Sequence, residues 1–564
     1  MQQRNSKKPV ALLAVLAIVM FGVIYLGISF TQDRGKDQRV ISTENATEKL
    51  DSLYRKVAVE TVEARKEPVT LEETALEDTL PDIDKSPVTV ENTTDDYIEI
   101  FSSPEKAGSD KDGWLNEVAE DFNHAGIQVN GSTVSVKVRN VASGLGKDYI
   151  LSGKYVPDAY TPSNELWGDM ISDQGGKVTL FKERLVGNVA GIVLSKSKND
   201  ELTKKYGAIN LKTITDAVAN NEIAMGYTNP FASSTGLNFL LSTLSTFDGQ
   251  NPLSETAISG FEKFQENIPF VAYTTLQMRE SAKTGALDGF IMEYQTYIND
   301  AELKDDYVFT PFGIRHDSPI YAIGDLSTEK QAILREFVHF ASSETYAAKA
   351  VEYGFNGLDE YKSEMQSVAK QQITKAQKLW KEKKNGTKKI SVVFVADISG
   401  SMDGEPLNNL KKSLITGAEY IGKDNSIGLV TYSDDVNINL PIGKFDLNQR
   451  SLFTGAVMDL EASGGTATFD GMIVALKMLM EEKATNPDAK LMLFVLSDGE
   501  TNRGHSLNDI EGILRTLKIP VYTIGYNANI SALNNISSIN EAASINAESD
   551  DVIYKLASLF NAQM

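Results

Sequence analysis

The sequence predicts an α/β protein of at least two folded domains behind one hydrophobic N-terminal helix. Three observations carry this. A chain of 564 residues is too long for a single core at ordinary domain sizes. Two stretches, starting near Tyr97 and near Lys389, alternate apolar strand-like runs with amphipathic helical segments. Before them, Val10 to Phe30 is a run of 21 residues without a charge.

That run is long enough at helical rise to cross a hydrocarbon core of about 30 Å, so residues 10–30 are expected to form an uncleaved transmembrane signal anchor. Arg4, Lys7 and Lys8 before it are matched by Arg34, Lys36 and Arg39 after it. The free N-terminal amine tips the orientation to N-inside, with residues 1–9 cytoplasmic and the bulk of the chain extracytoplasmic. Residues 31–96 are rich in Glu, Asp, Thr and Lys and are expected to be an acidic, solvated stalk, with a short helix near Thr47 to Arg65 suggested by Leu50, Leu53 and Val57.

Composition excludes several functions. The formal net charge of -22 argues against a nucleic-acid partner, whose phosphates are bound by clustered Lys and Arg. The absence of cysteine removes disulfides, thiolate zinc sites and Cys nucleophiles. The sequence has no G-x-S-x-G, H-E-x-x-H or G-x-x-x-x-G-K-[ST], and His124, His316, His339 and His505 lack metal-ligand spacing. A non-enzymatic protein is expected, and a metal-dependent hydrolase is a remote alternative.

From Tyr97 to Tyr361 an open α/β domain is expected, with functional groups in loops after strands. Ser102 and Ser103 follow the first strand, Ser143 follows the second, and Ser233, Ser234, Thr235 and Gly236 open an apolar helix. Such hydroxyls and N–H groups suit an oxyanion or carboxylate, although Ser and Thr are also the ordinary N-cap residues. The order of pieces, from the opening strand with Ser-Ser through Pro157-Asp158-Ala159, Leu166-Trp167, Gly226 to Gly236 and Ala286 to Tyr294, resembles the bacterial extracellular solute-binding proteins. The resemblance implies a two-lobed, periplasmic-binding-protein-like (type II) domain over residues 97–361 that closes on a small solute. Residues 362–388, with Lys375, Lys378, Lys381, Lys383 and Lys384, read as a solvated helical linker.

Residues 389–564 carry the strongest motif. Ile390 to Ala396 is an apolar strand ending in Asp397-Ile398-Ser399-Gly400-Ser401, and Pro406 then opens a helix. Side chains at i, i+2 and i+4 in a tight loop at a strand C-terminus turn toward one point, and a carboxylate with two hydroxyls suits Mg2+, Ca2+ or Mn2+. Two further loops follow similar elements, Ser463 to Thr468 before a helix and Ser497-Asp498-Gly499 after an apolar strand. Together they resemble the metal-ion-dependent adhesion site of the von Willebrand factor A family. That resemblance implies a doubly wound, Rossmann-like domain with Asp397, Ser399, Ser401, Thr466 and Asp498 around the metal, both aspartates acting through water. It also implies a protein partner that supplies an acidic side chain to the ion. The expected protein is therefore a single-pass, extracytoplasmic binding protein with its metal site at the far end of the chain from the anchor. The substrate-binding component of a transport or sensing system is the alternative.

Overall fold

The computed structural model describes residues 42–69, 80–268, 270–272, 278–279, 287–363, 365, 368–384, 388–499, 501–526, 544–547 and 559–560. The expected anchor at residues 10–30 lies outside them, as does most of the helix expected over Val552 to Phe560. No helix among the described residues is long and apolar enough to cross a membrane.

The first described residues fall in what was expected to be a stalk, and that expectation needs correction. Helix α1 (Thr43–Tyr54), capped by the Ser42 hydroxyl, buries Ala46, Leu50 and Leu53. The two leucines enter the apolar layer of the C-terminal domain beside Met472, Leu476, Ile510 and Ile513. Strand β1 (Val59–Thr61) then pairs parallel with Val436, Asn437 and Ile438 of that domain. Farther on, Glu67 N donates to Ser451 O at 3.2 Å. The acidic composition is real, but three apolar side chains on one helix face and one edge pairing suffice to fold the segment.

The middle domain is built in two lobes. The first holds β2 (Val88–Val90), β3 (Tyr97–Ser102), helix α2 (Trp114–His124), β4 (Ser135–Asn140), helix α3 (Ser143–Ser152), β5 (Ala159–Thr161), helix α4 (Leu166–Asp173) and β6 (Val178–Lys182). The second holds β7 (Val189–Ser195), β8 (Met225–Thr228), helix α5 (Ser234–Phe247), helix α6 (Glu255–Gln265), β9 (Phe270–Ala272), β10 (Gly289–Glu293) and β11 (Tyr307–Arg315), before β12 (Ile320–Ile323) returns to the first sheet. The sheet orders are β2-β4-β3-β5-β12-β6 and β9-β8-β10-β7-β11. Each is mixed, because the strands beside the two crossings, β6 to β7 and β11 to β12, run antiparallel to their neighbours. Residues 80–90, also assigned to the stalk, belong here, since β2 pairs with β4 and Tyr149 OH donates to Pro81 O at 3.1 Å.

The Lys-rich linker is likewise structural. Helix α7 (Lys370–Lys383) buries Ile373, Ala376, Gln377 and Trp380 against the middle domain. Lys375, Lys378 and Lys381 hold the outer face, where long aliphatic stems keep the charge in water, whereas Lys384, expected to be solvated with them, is buried just past the helix end.

The C-terminal domain comprises β13 (Ile390–Asp397), α8 (Glu405–Gly417), β14 (Ser426–Tyr432), β15 (Val436–Lys444), α9 (Leu447–Met458), α10 (Thr468–Thr485), β16 (Lys490–Ser497), α11 (Leu507–Leu517), β17 (Val521–Tyr526) and β18 (Ser544–Ala547). Its sheet runs β1-β15-β14-β13-β16-β17-β18, parallel except where β15 pairs antiparallel with β14. Strand β13 is buried along its whole length, which is why it reads as an uninterrupted apolar run. Because residues 43–67 and 390–526 share one sheet and core, the two-lobed domain is an insertion into the C-terminal domain.

Candidate functional site

At the centre of the C-terminal sheet, β13 and β16 end side by side and deliver two of the predicted loops to one edge. Asp397 is fully buried: its Oδ1 accepts from Ser399 N at 2.8 Å, and its Oδ2 accepts from Ser497 Oγ at 2.6 Å and Tyr432 OH at 3.2 Å. The Ser399 and Ser401 hydroxyls lie 3.1 Å apart, and Ser401 Oγ donates to Asp498 Oδ1 at 3.0 Å. The first and third loops thus meet. The second loop is stitched to the first through Gly400 N to Gly464 O at 3.0 Å and Ser463 N to Ile398 O at 2.8 Å. It is held to the third through Thr466 O, which accepts from Asn502 N and Arg503 N, and Thr466 N, which donates to Asn502 Oδ1. Gly464 has φ +78, the left-handed region that favours glycine, so a glycine suits this turn of the loop.

These residues fit a hard divalent cation. An ion that holds oxygens at about 2.1 Å in octahedral geometry sets neighbouring donors about 3.0 Å apart, and the Ser399–Ser401 and Ser401–Asp498 spacings are 3.1 and 3.0 Å. Burial pushes the Asp397 carboxyl above its usual pKa against the pull of Ser399 and Ser497, and the nearby Asp498 pushes the same way. Burial also raises Asp498, opposed by Ser401. Two carboxylates held close with no cationic side chain in their hydrogen bonds gain most from a counter-ion. Among the described residues no cluster of three or more His, Cys, Asp or Glu is placed to hold a metal ion. Tyr432 and Ser497 orient Asp397; the sequence names Ser497 within the third loop without this role and does not point to Tyr432. Their only signal was position, as strand-terminal polar residues in apolar runs.

In the middle domain, the predicted hydroxyls divide. Ser103, Ser143, Ser233 and Ser234 line one space between the lobes, together with Ser163, Glu105 and Glu293. Ser102 is buried with its hydroxyl toward Ser103 O, Thr235 Oγ1 donates to Glu293 Oε1 at 3.2 Å, and Gly236 N is capped by Ser233 Oγ. The space measures about 30 Å3, room for about two waters. The lobes meet directly through Ser234 Oγ to Ser143 Oγ at 3.1 Å and Gly144 N to Ala232 O at 3.1 Å.

The expected oxyanion chemistry is altered by two carboxylates that sequence reading missed. Burial raises the Glu105 carboxyl, but the Lys106 ammonium and the Ser103 hydroxyl outweigh it and hold the group below its usual pKa. Ser163 Oγ also donates to Glu105. Glu293 accepts from Thr235 and Asn188 and meets His316 Nδ1 at 2.7 Å. His316 Nε2 faces the amide Nδ2 atoms of both Asn164 and Asn238 at 3.1 Å. Two amide donors make Nε2 the acceptor and place the imidazole proton on Nδ1, toward Glu293. In the sequence these residues are isolated polar letters, Glu293 at a strand end, Glu105 in a short helix and Asn238 within α5.

Comparison with known proteins agrees with both domains. Residues 391–561 match the von Willebrand factor type A domain family, and residues 107–356 match the bacterial extracellular solute-binding protein family. Inter-alpha-trypsin inhibitor heavy chain H3 of Bos taurus is 30% identical over 152 residues, 25% of this chain and 17% of that protein. An uncharacterized protein of Synechocystis is 26% identical over 140 residues, 24% of this chain and 32% of its own length. The matched stretch is thus a third or less of either relative. Similar solved structures include a von Willebrand factor type A protein from Catenulispora acidiphila (TM-score 0.27, 19% identity, 31% of this chain and 42% of that one). A periplasmic thiamin binding protein aligns with TM-score 0.39 and 12% identity over 51% of this chain and 96% of that one. The chain therefore combines a bacterial extracellular solute-binding domain with a von Willebrand factor type A domain.

Proposed function

We propose that this protein is an extracytoplasmic, membrane-anchored binding protein whose A domain docks an acidic side chain of a protein partner through a divalent cation. The observation that carries the reading is the convergence of the loops at Asp397 to Ser401 and at Asp498, with oxygen spacings of 3.0 and 3.1 Å. Asp397, Ser399, Ser401, Thr466 and Asp498 would hold Mg2+, Ca2+ or Mn2+, and the ion would supply the electrostatic attraction for the partner's carboxylate. The protein's share of the work is orientation. Tyr432 and Ser497 fix Asp397, and the backbone of Thr466 is bonded to Asn502 and Arg503 after the third loop.

The anchor, read from residues 10–30, would now sit near the metal domain and not at the opposite end of the molecule. Twelve residues separate Phe30 from Thr43 of α1, a reach of at most about 45 Å. Solute capture for transport is supported by the fold of the middle domain. Against it stands a cleft of about 30 Å3 lined by hydroxyls bonded to one another.

Isothermal titration of the full chain with Mg2+ or Ca2+ tests the proposal. Binding that disappears in Asp397→Ala is expected, and equal binding by both chains would sink it.

A further inference from the structure

The two lobes of the middle domain are joined by more than their crossings. Helix α7 lies across both. On the first lobe, Lys370 Nζ pairs with Asp169 of α4 at 2.7 Å. On the second, Gln377 Nε2 donates to Pro230 O at 2.8 Å, Trp380 Nε1 donates to Tyr227 OH at 2.6 Å, and Lys383 Nζ pairs with Glu262 of α6 at 2.7 Å. Trp380 is wholly buried, and the apolar cluster containing it runs through Trp167 and Met170 of the first lobe and Phe239 and Leu240 of the second. A cleft that opens freely would interrupt such a core with water. Here the core is continuous, and α7 is part of it.

The contact between the lobes is equally tight on the cleft side. Besides the Ser143–Ser234 and Gly144–Ala232 bonds, Trp167 Nε1 donates to Ser234 Oγ at 2.8 Å and Asn164 Nδ2 donates to Ser234 O at 3.2 Å. A Cβ on Gly144 would lie 2.0 Å from Phe231 O. The lobes therefore close backbone to backbone at the place where a solute would sit.

Each lobe also holds one of the two connections to the A domain. The incoming chain is fixed to the first lobe, where Lys154 Nζ donates to Leu80 O and Tyr149 OH to Pro81 O. The outgoing chain leaves α7 at the second lobe, where Lys388 Nζ donates to Glu266 O at 3.3 Å two residues before β13 begins.

We propose that α7 is an interlobe strap that holds the middle domain shut on itself, and that lobe opening is coupled to the A domain because each lobe is rooted in it by a separate connection. Separation of the lobes would displace the root at Leu80 and Pro81 from the root at Lys388, two residues before β13. The inserted domain is on this account a latch read by the A domain, whatever ion that domain holds.

The full chain has no cysteine, so labels can be placed singly. Val156→Cys on the first lobe and Lys204→Cys on the second, both exposed, carry spin labels for pulsed dipolar distance measurement. A single narrow distance is expected in the parent chain. In Trp380→Ala a longer distance should grow from below about 1% to at least about 10% of molecules, and amide exchange over Ile390–Asp397 should speed up in parallel. Should Trp380→Ala fail to fold, Lys370→Ala with Gln377→Ala and Lys383→Ala severs the strap at its rim, and the same two changes are expected at smaller amplitude. An unchanged distance in a folded strap variant overturns the strap. A second distance without faster exchange in β13 overturns the coupling to the A domain.

Discussion

The protein uses serine in loops after strands twice, with opposite results. At the A-domain edge, Ser401 is exposed, and its hydroxyl bonds to Ser399 and Asp498 at a surface open to solvent. In the middle domain, Ser103, Ser143, Ser163, Ser233 and Ser234 are all buried and spend their hydroxyls on one another, on Glu105 or on a helix cap. Hydroxyl chemistry alone does not make a binding site. What differs is access: the A-domain hydroxyls bond one another at an open edge, and the cleft hydroxyls do so in a closed one.

The sharpest break in that comparison is Asp397→Ala. It removes the only fully buried carboxylate of the A-domain set, and loss of cation binding by at least a hundredfold is expected by calorimetry, with the middle domain unaffected. Next comes Gly144→Ala. Its methyl would press on Phe231 O across the closed lobes, so a cost of about 1–3 kcal/mol is expected in denaturant unfolding. If the substitution were neutral, the lobes would not be in contact. Tyr432→Phe removes the 3.2 Å bond to Asp397 Oδ2 while keeping the ring, and about a tenfold drop in cation affinity is expected from losing a group that orients a ligand.

The smallest effect is a pH dependence of opposite sign with and without the ion. Burial raises Asp397 and Asp498, so the ion-free folded chain binds protons more readily than the unfolded one. Thermal unfolding in chelator should therefore show the site's contribution improving as pH falls through the raised carboxyl pKa values toward the usual carboxylate range. With Mg2+ present the same acidification should displace the ion and lower the melting temperature. Identical pH profiles with and without the ion would show that these carboxylates do not hold it.

The A domain was legible because its pattern is local. A fully buried parallel strand writes a continuous apolar run, and ligands at i, i+2 and i+4 fall at its end. The cleft was half legible: Ser103, Ser143, Ser233 and Ser234 do converge, but Glu105, Glu293 and His316, which set its electrostatics, come from separated parts of the chain with no shared spacing. In the stalk and linker the helices were legible and their packing was not, for a related reason. Charge dominates residues 43–67 and 370–383, and the folding information is a few apolar positions, Leu50 and Leu53 in one and Ile373, Ala376 and Trp380 in the other. The partner of β1 is Val436 to Ile438, far along the chain, and no local pattern announces a pairing of that range.

That pairing has a consequence for how the molecule is made. During synthesis, β1 leaves the ribosome some 375 residues before β15, the strand it needs, an interval of about 20–75 s at usual elongation rates. Throughout it, Leu50 and Leu53 have no core to enter, while the inserted lobes have everything they require to fold. The A domain is thus completed last, by recapturing a segment that was synthesised first, and a cell that makes this protein must keep that early segment from aggregating until its sheet exists.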